Sequence, residues 1–132
     1  MKKTLTSLLA LFVMALALTS ATPQKDEVMT KEDGMYVVNT TTLGKNVTGY
    51  VSTTPLKVYI KKNKVVKVEA LKNQETPKYM AKVKKQLLNK WDNMKVADAQ
   101  KQKVDAVTGA TFTSDAVIQN VQLALEYYKK HK

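Results

Sequence analysis

Residues 56–70 read LKVYIKKNKVVKVEA, and their alternation decides the fold. Leu56, Val58 and Ile60 alternate with Lys57, Tyr59 and Lys61, and Val66, Val68 and Ala70 alternate with Lys67 and Glu69, the two-residue period of half-buried strands. Between them Lys62-Asn63-Lys64 closes a hairpin, because asparagine is second only to glycine in tolerating the left-handed turn conformation. This antiparallel pair is the expected sheet nucleus. Upstream, Tyr36-Val37-Val38 is a further short strand, and the threonine-rich, glycine-punctuated stretch to Gly49 supplies turns or a small helix.

Downstream the period changes. Pro77 fits a helix start, and Met80, Val83, Leu87 and Trp91 recur at helical spacing, predicting an amphipathic helix over 78–93 with Trp91 as core packing. Val117, Val121, Ala124 and Tyr128, flanked by Ile118 and Leu125, predict a second helix. Thr113 or Ser114 is placed to cap it, and Lys129 and Lys130 suit its C-terminal end. Strands followed by helices give an α+β domain, a small antiparallel sheet with helices packed on it.

The chain has 132 residues, enough for one small domain, with 22 basic and 11 acidic side chains, one histidine and no cysteine. Lacking cysteine, it has no disulfide, thiolate metal site, Fe–S cluster, covalent haem or thiol nucleophile. His131, next to a lysine-rich terminus, has no partners for a catalytic triad or a histidine metal site, so no metal site is expected. Every basic residue is lysine, and without arginine for bidentate contacts no nucleic-acid partner is expected.

Lys2 and Lys3 precede an apolar run from Leu8 to Leu18 and the small residues Thr19, Ser20 and Ala21, the order of an export signal. Residues 1–21 are therefore read as a signal peptide and the protein as exported, to the periplasm or the outer face of the cytoplasmic membrane. The run is shorter than the ~20 apolar residues that span a bilayer. Residues 22–34 are polar and aperiodic and read as a flexible leader, with the domain over 35–132.

The chemistry lies before the last helix, in Asp105-Ala-Val-Thr-Gly-Ala-Thr-Phe-Thr-Ser114. This turn, expected between a strand ending at Val104 and the helix, has two readings. Gly109 permits close backbone approach, and the helix start offers unsatisfied amides and a positive dipole end, which suit a phosphate. Equally, threonine, serine and aspartate are what a well-capped turn requires.

The order Asp105-x-x-Thr108-Gly109-Ala110-Thr111-x-Thr113-Ser114 resembles the flavinylation motif of the FMN-binding domain family, found in the FMN-carrying subunits of Na⁺-translocating NADH:quinone reductase and of the Rnf complex. The resemblance implies FMN joined through its phosphate to Thr111 by a separate flavin transferase that uses FAD and a metal. Asp105 and Thr108 match positions the transferase recognises, and Gly109, Ala110, Thr113 and Ser114 complete the cofactor-binding turn. Asn73-Gln74-Glu75-Thr76-Pro77 is similar to the family's Glu-Thr-Pro-Gly loop, which implies Glu75 and Thr76 near the flavin. Lys78 stands where the family often has glycine. On the residues alone, Glu75 is an acid at the positive end of a helix. Phe112 and Tyr50 are candidates to flank the flavin ring, yet an aromatic inside a small domain is more often core, so both are left out of the site.

The resulting expectation is an extracytoplasmic electron-transfer flavoprotein, a carrier rather than an enzyme. Its partners would be the flavin transferase and a membrane redox complex or other electron donor and acceptor. FMN supplies the redox chemistry, so the protein need supply only attachment, orientation and electrostatics, including a lysine to balance the phosphate. The alternative is an exported binding or inhibitory module of the same fold without flavin.

Overall fold

The computed structural model describes residues 28–132; the expected signal peptide and the first residues of the leader lie outside the described residues. Strands β1 (Met29–Glu32), β2 (Met35–Asn39), β3 (Leu56–Lys61) and β4 (Lys64–Ala70) form one antiparallel sheet in sequential order. The helices are α1 (Pro77–Gln86), α2 (Val96–Lys101) and α3 (Thr111–His131), with a 3₁₀ turn over Leu88–Trp91.

The expected hairpin closes through Lys62 and Asn63, both at positive φ (51° and 61°), as a type I′ turn requires. Its inward faces differ from simple alternation. The register shifts between Tyr59 and Ile60, so that Tyr59 faces Lys67 while Ile60 faces Val65. Val66 is the extra residue of this bulge and is exposed, whereas Val65 and Val68 are buried. The expected inward set of Val66, Val68 and Ala70 is thus corrected to Val65 and Val68, with Ala70 half-buried.

The sheet also starts earlier than expected. β1 lies inside the segment 22–34 read as a flexible leader and pairs with β2 from Met29↔Val38 to Glu32↔Met35. Asp33 and Gly34, both at positive φ, close this hairpin, a dipeptide suited to the turn. An edge strand that buries little beyond part of Val28 and Met29 carries no hydrophobic period, which is why the stretch looks like a leader.

The helices cover one face of the sheet. α1 ends at Gln86, and the expected helix over 78–93 breaks there into the 3₁₀ turn that carries Leu88 and Trp91 into the core. Met80, Val83, Leu87 and Trp91 are all buried, as their spacing predicts. Asn93, at φ 65°, turns the chain so that its N–H donates to Val65 O (2.7 Å) and Val65 N–H donates to Met94 O (2.8 Å), covering the β4 edge. α2 follows directly, and the strand expected to end at Val104 is instead the loop between α2 and α3. α3 lays Val117, Val121, Ala124, Leu125 and Tyr128 against the sheet. One buried polar side chain interrupts this apolar face. Asn120 Nδ2 donates to Thr54 O, Thr54 Oγ1 and Ala116 O, each at 3.0 Å, tying the helix to the segment before β3.

Candidate functional site

α3 begins at Thr111, two residues after a turn that only glycine makes easily. Gly109 stands at φ 83°, and a Cβ on it would lie 3.4 Å from Lys82 Nζ, so the α1 ammonium sits against this turn. Ala110 occupies the cap position, no side chain caps the helix, and no acid occupies its first turn. The caps expected from Thr113 or Ser114 are therefore a correction, because the helix starts before them and both side chains point into the protein. Ser114 Oγ accepts the Val107 N–H (3.0 Å), and Thr113 Oγ1 donates to Glu75 Oε1 (2.7 Å). What remains at the start of a 21-residue helix is a set of amides without a side-chain cap, with the Glu75 carboxylate beneath the first turn as the acid nearest its positive end.

An open cleft of about 280 Å³ lies beside this helix start, lined by residues 109–113 together with Tyr50 and Tyr79. Tyr50 (59% exposed) and Phe112 (65%) are surface residues, which corrects the core reading that left them out of the site. Their rings lie 6.2 Å apart at 30°, and Tyr79 meets Tyr50 edge-on at 5.6 Å. Lys78, in the place of the family's glycine, holds its Nζ 5.3 Å over the Tyr79 ring. The cleft thus joins an aromatic wall to the Thr111 side chain, which is exposed at the helix start.

Glu75 holds the wall in place. It is buried, and its carboxylate accepts the N–H groups of Tyr50, Val51 and Ser52 at 2.7 Å each, besides the Thr113 hydroxyl. Burial pushes this carboxyl up, but the hydrogen bonds from Thr113 and from the Val51, Ser52 and Tyr50 amides outweigh it and hold the carboxyl below its ordinary range. Gly49 is required for the approach: a Cβ there would overlap Glu75 Oε1 and press Thr113 Cα at 3.2 Å. The carboxylate is spent on the loop and on α3, so Glu75 orients the site from beneath rather than facing the cleft. Thr76 is half-buried before α1, its carbonyl accepting the Tyr79 and Met80 amides at 3.0 Å.

The motif residues therefore separate. Gly109, Ala110, Thr111 and Thr113 line the aromatic cleft. Asp105 and Thr108 are exposed and line a neighbouring cleft with Lys85 and Lys90 from the end of α1 and the 3₁₀ turn. Ser114 and Glu75 are buried and structural.

The sequence model of the FMN-binding domain family matches residues 49–126, more than half of the chain. The chain belongs to the FMN-binding domain family. No curated protein and no solved structure gives a significant match. The limits of the FMN-binding domain match agree with the geometry: residue 49 is the glycine that admits Glu75, and the match runs on through most of α3.

The residues present fit FMN. The uncapped helix start and Lys82 suit a phosphate, and the exposed rings of Tyr50 and Phe112 with the half-buried Tyr79 suit a flat aromatic ring system. Sequence reasoning missed Tyr79 and Lys82, and it left Tyr50 and Phe112 out of the site after considering them beside the ring. Phe112 carries a signal, lying between motif residues on the exposed first turn of a helix; Tyr50 and Lys82 reach the site only through the Glu75 clamp and the packing of α1.

Proposed function

We propose that this FMN-binding domain is an extracytoplasmic electron carrier with FMN attached by a phosphoester to Thr111. The observation that carries the reading is the exposed Thr111 side chain at an uncapped helix start, beside an exposed aromatic wall. In the attachment step the Thr111 hydroxyl loses its proton and forms the new bond to the FMN phosphorus, while the pyrophosphate bond of FAD breaks and AMP leaves. The transferase catalyses that step, and the exposed Asp105 and Thr108, set to one side of the cleft, are available for it to grip.

Once bound, the flavin supplies one- and two-electron redox chemistry. The chain's own residues hold and orient. The first amides of α3 and the Lys82 ammonium, which lies against the Gly109 turn, would balance the remaining phosphate charge. Tyr50, Phe112 and Tyr79, which line the cleft, would hold the flavin ring by apolar and stacking contacts. No protein acid or base is required for electron exchange, which suits a carrier rather than an enzyme. A covalent link also prevents loss of the cofactor by dilution outside the cell.

The test is the intact mass and visible spectrum of the exported chain made with a flavin transferase. Wild type should be heavier by FMN less water and keep its yellow colour in denaturant, and Thr111→Ala should be unmodified and colourless. An unmodified wild type under those conditions overturns the covalent carrier and favours the flavin-free binding module.

A further inference from the structure

At the far end of α3 the β3–β4 turn, the start of α2 and the last helical turn surround a second cleft, of about 410 Å³. Five lysines line it, Lys62, Lys64, Lys95, Lys129 and Lys132, and none of its lining side chains is acidic. The ion pairs found among the described residues, Lys67–Glu69 and Lys130–Glu126, involve none of the five. Lys129 and Lys132 have a local reason, since the C-terminal end of a helix favours cations. Lys62, Lys64 and Lys95 have no such reason; they stand on a turn, a strand end and a loop.

The frame of the cleft is fixed. Asn63 Oδ1 accepts hydrogen bonds from Tyr128 OH (2.5 Å) and Lys132 Nζ (3.2 Å), Val96 N–H donates to Asn63 O (2.8 Å), and Lys64 and Lys95 are bridge partners. Five lysines lining one concavity without an acidic side chain give it a positive potential, and a multiply charged anion placed there is attracted by that potential and can accept ammonium hydrogen bonds. We propose that this cleft is a binding site for a compact anion carrying two or more phosphate groups, either free in solution or on a phospholipid headgroup. A helix of 21 residues is about 30 Å long, so an occupant here leaves the Thr111 face unobstructed. The proposal does not depend on the flavin reading.

The experiment is titration of tripolyphosphate into the full chain, followed by calorimetry and amide chemical shifts, at about 0.15 M ionic strength, where exposed charges are screened beyond about 8 Å. Saturable binding is expected, with shifts centred on Asn63, Val96, Ala97 and Gln100. The triple substitution Lys64→Gln, Lys95→Gln and Lys129→Gln should weaken it about tenfold or more, whereas Lys45→Gln, Lys101→Gln and Lys103→Gln, removing the same charge elsewhere, should change it less than about twofold. Arginine at positions 64, 95 and 129 should retain binding, separating charge from folding. Equal weakening by both glutamine triples, or no saturable binding up to about 5 mM, overturns the site. Cosedimentation with cardiolipin vesicles distinguishes the sources. Vesicle binding lost only in the 64/95/129 glutamine triple supports a lipid headgroup, and tripolyphosphate binding without vesicle binding supports a soluble ligand.

Discussion

Replacing Glu75 by glutamine keeps side-chain size and removes one acceptor oxygen, so it tests the clamp beneath the aromatic wall. The carboxylate receives four hydrogen bonds of 2.7 Å, two on each oxygen: Tyr50 N–H and Thr113 Oγ1–H on Oε1, Val51 N–H and Ser52 N–H on Oε2. A glutamine amide oxygen can take the Val51 and Ser52 N–H groups, which turns its NH₂ toward the Tyr50 N–H, donor against donor, while the Thr113 hydroxyl can rotate to accept. The Tyr50 hydrogen bond, at about 1.5–3 kcal/mol, is lost and the other three fall from charge-assisted to neutral strength, about 0.5–1 kcal/mol each, so the expected cost is about 3–6 kcal/mol. That is a large part of the about 5–15 kcal/mol that stabilises a domain, and it corresponds to a Tm lowered by roughly 15 °C or more.

Urea unfolding at pH 7 measures the cost, and its pH dependence identifies the carboxylate as the cause. Because the folded carboxyl titrates below its ordinary range, its contribution is fully present above the unfolded pKa of about 4.3 and is lost as pH falls through the lowered folded value. The gap between wild type and Glu75→Gln should therefore begin to narrow below about pH 4 and close only once pH has fallen past the lowered folded value, where the folded carboxyl too is neutral. A difference under about 1 kcal/mol at pH 7, or one that stays constant into acid, would refute the clamp.

Three further outcomes follow from the geometry. Val65→Ala should cost about 2 kcal/mol in urea unfolding and Val66→Ala less than about 0.5 kcal/mol; the reverse order would place the bulge wrongly. Gly109→Ala imposes a side chain at φ 83° and should cost about 1 kcal/mol of stability and slow flavin attachment by the transferase, so unchanged stability and labelling would remove the turn from the argument. Tyr50→Ala and Phe112→Ala, both at exposed positions, should each stay within about 0.5 kcal/mol of wild-type stability yet raise the fluorescence of the loaded protein, and unaltered emission would show that these rings do not touch the flavin.

Elements whose patterns are local can be read directly from the residues. The hairpin turn at Asn63, the apolar stripe through Met80, Val83, Leu87 and Trp91, the inward face of α3 and the motif around Thr111 each follow from residues within a few positions of one another. Tertiary structure decided what depends on distant partners. β1 exists because β2 offers it a ladder, and the bulge at Val66 follows from pairing with β3, neither of which a period within one segment can announce. The site divides in the same way. Thr111 and Gly109 were legible in the motif, but Glu75 turned inward because three amides from residues 50–52 and the Thr113 hydroxyl, 38 positions away, converge on its carboxylate. A buried charge goes where the most donors meet it, and that place is set by how the chain folds back on itself rather than by its neighbours in sequence.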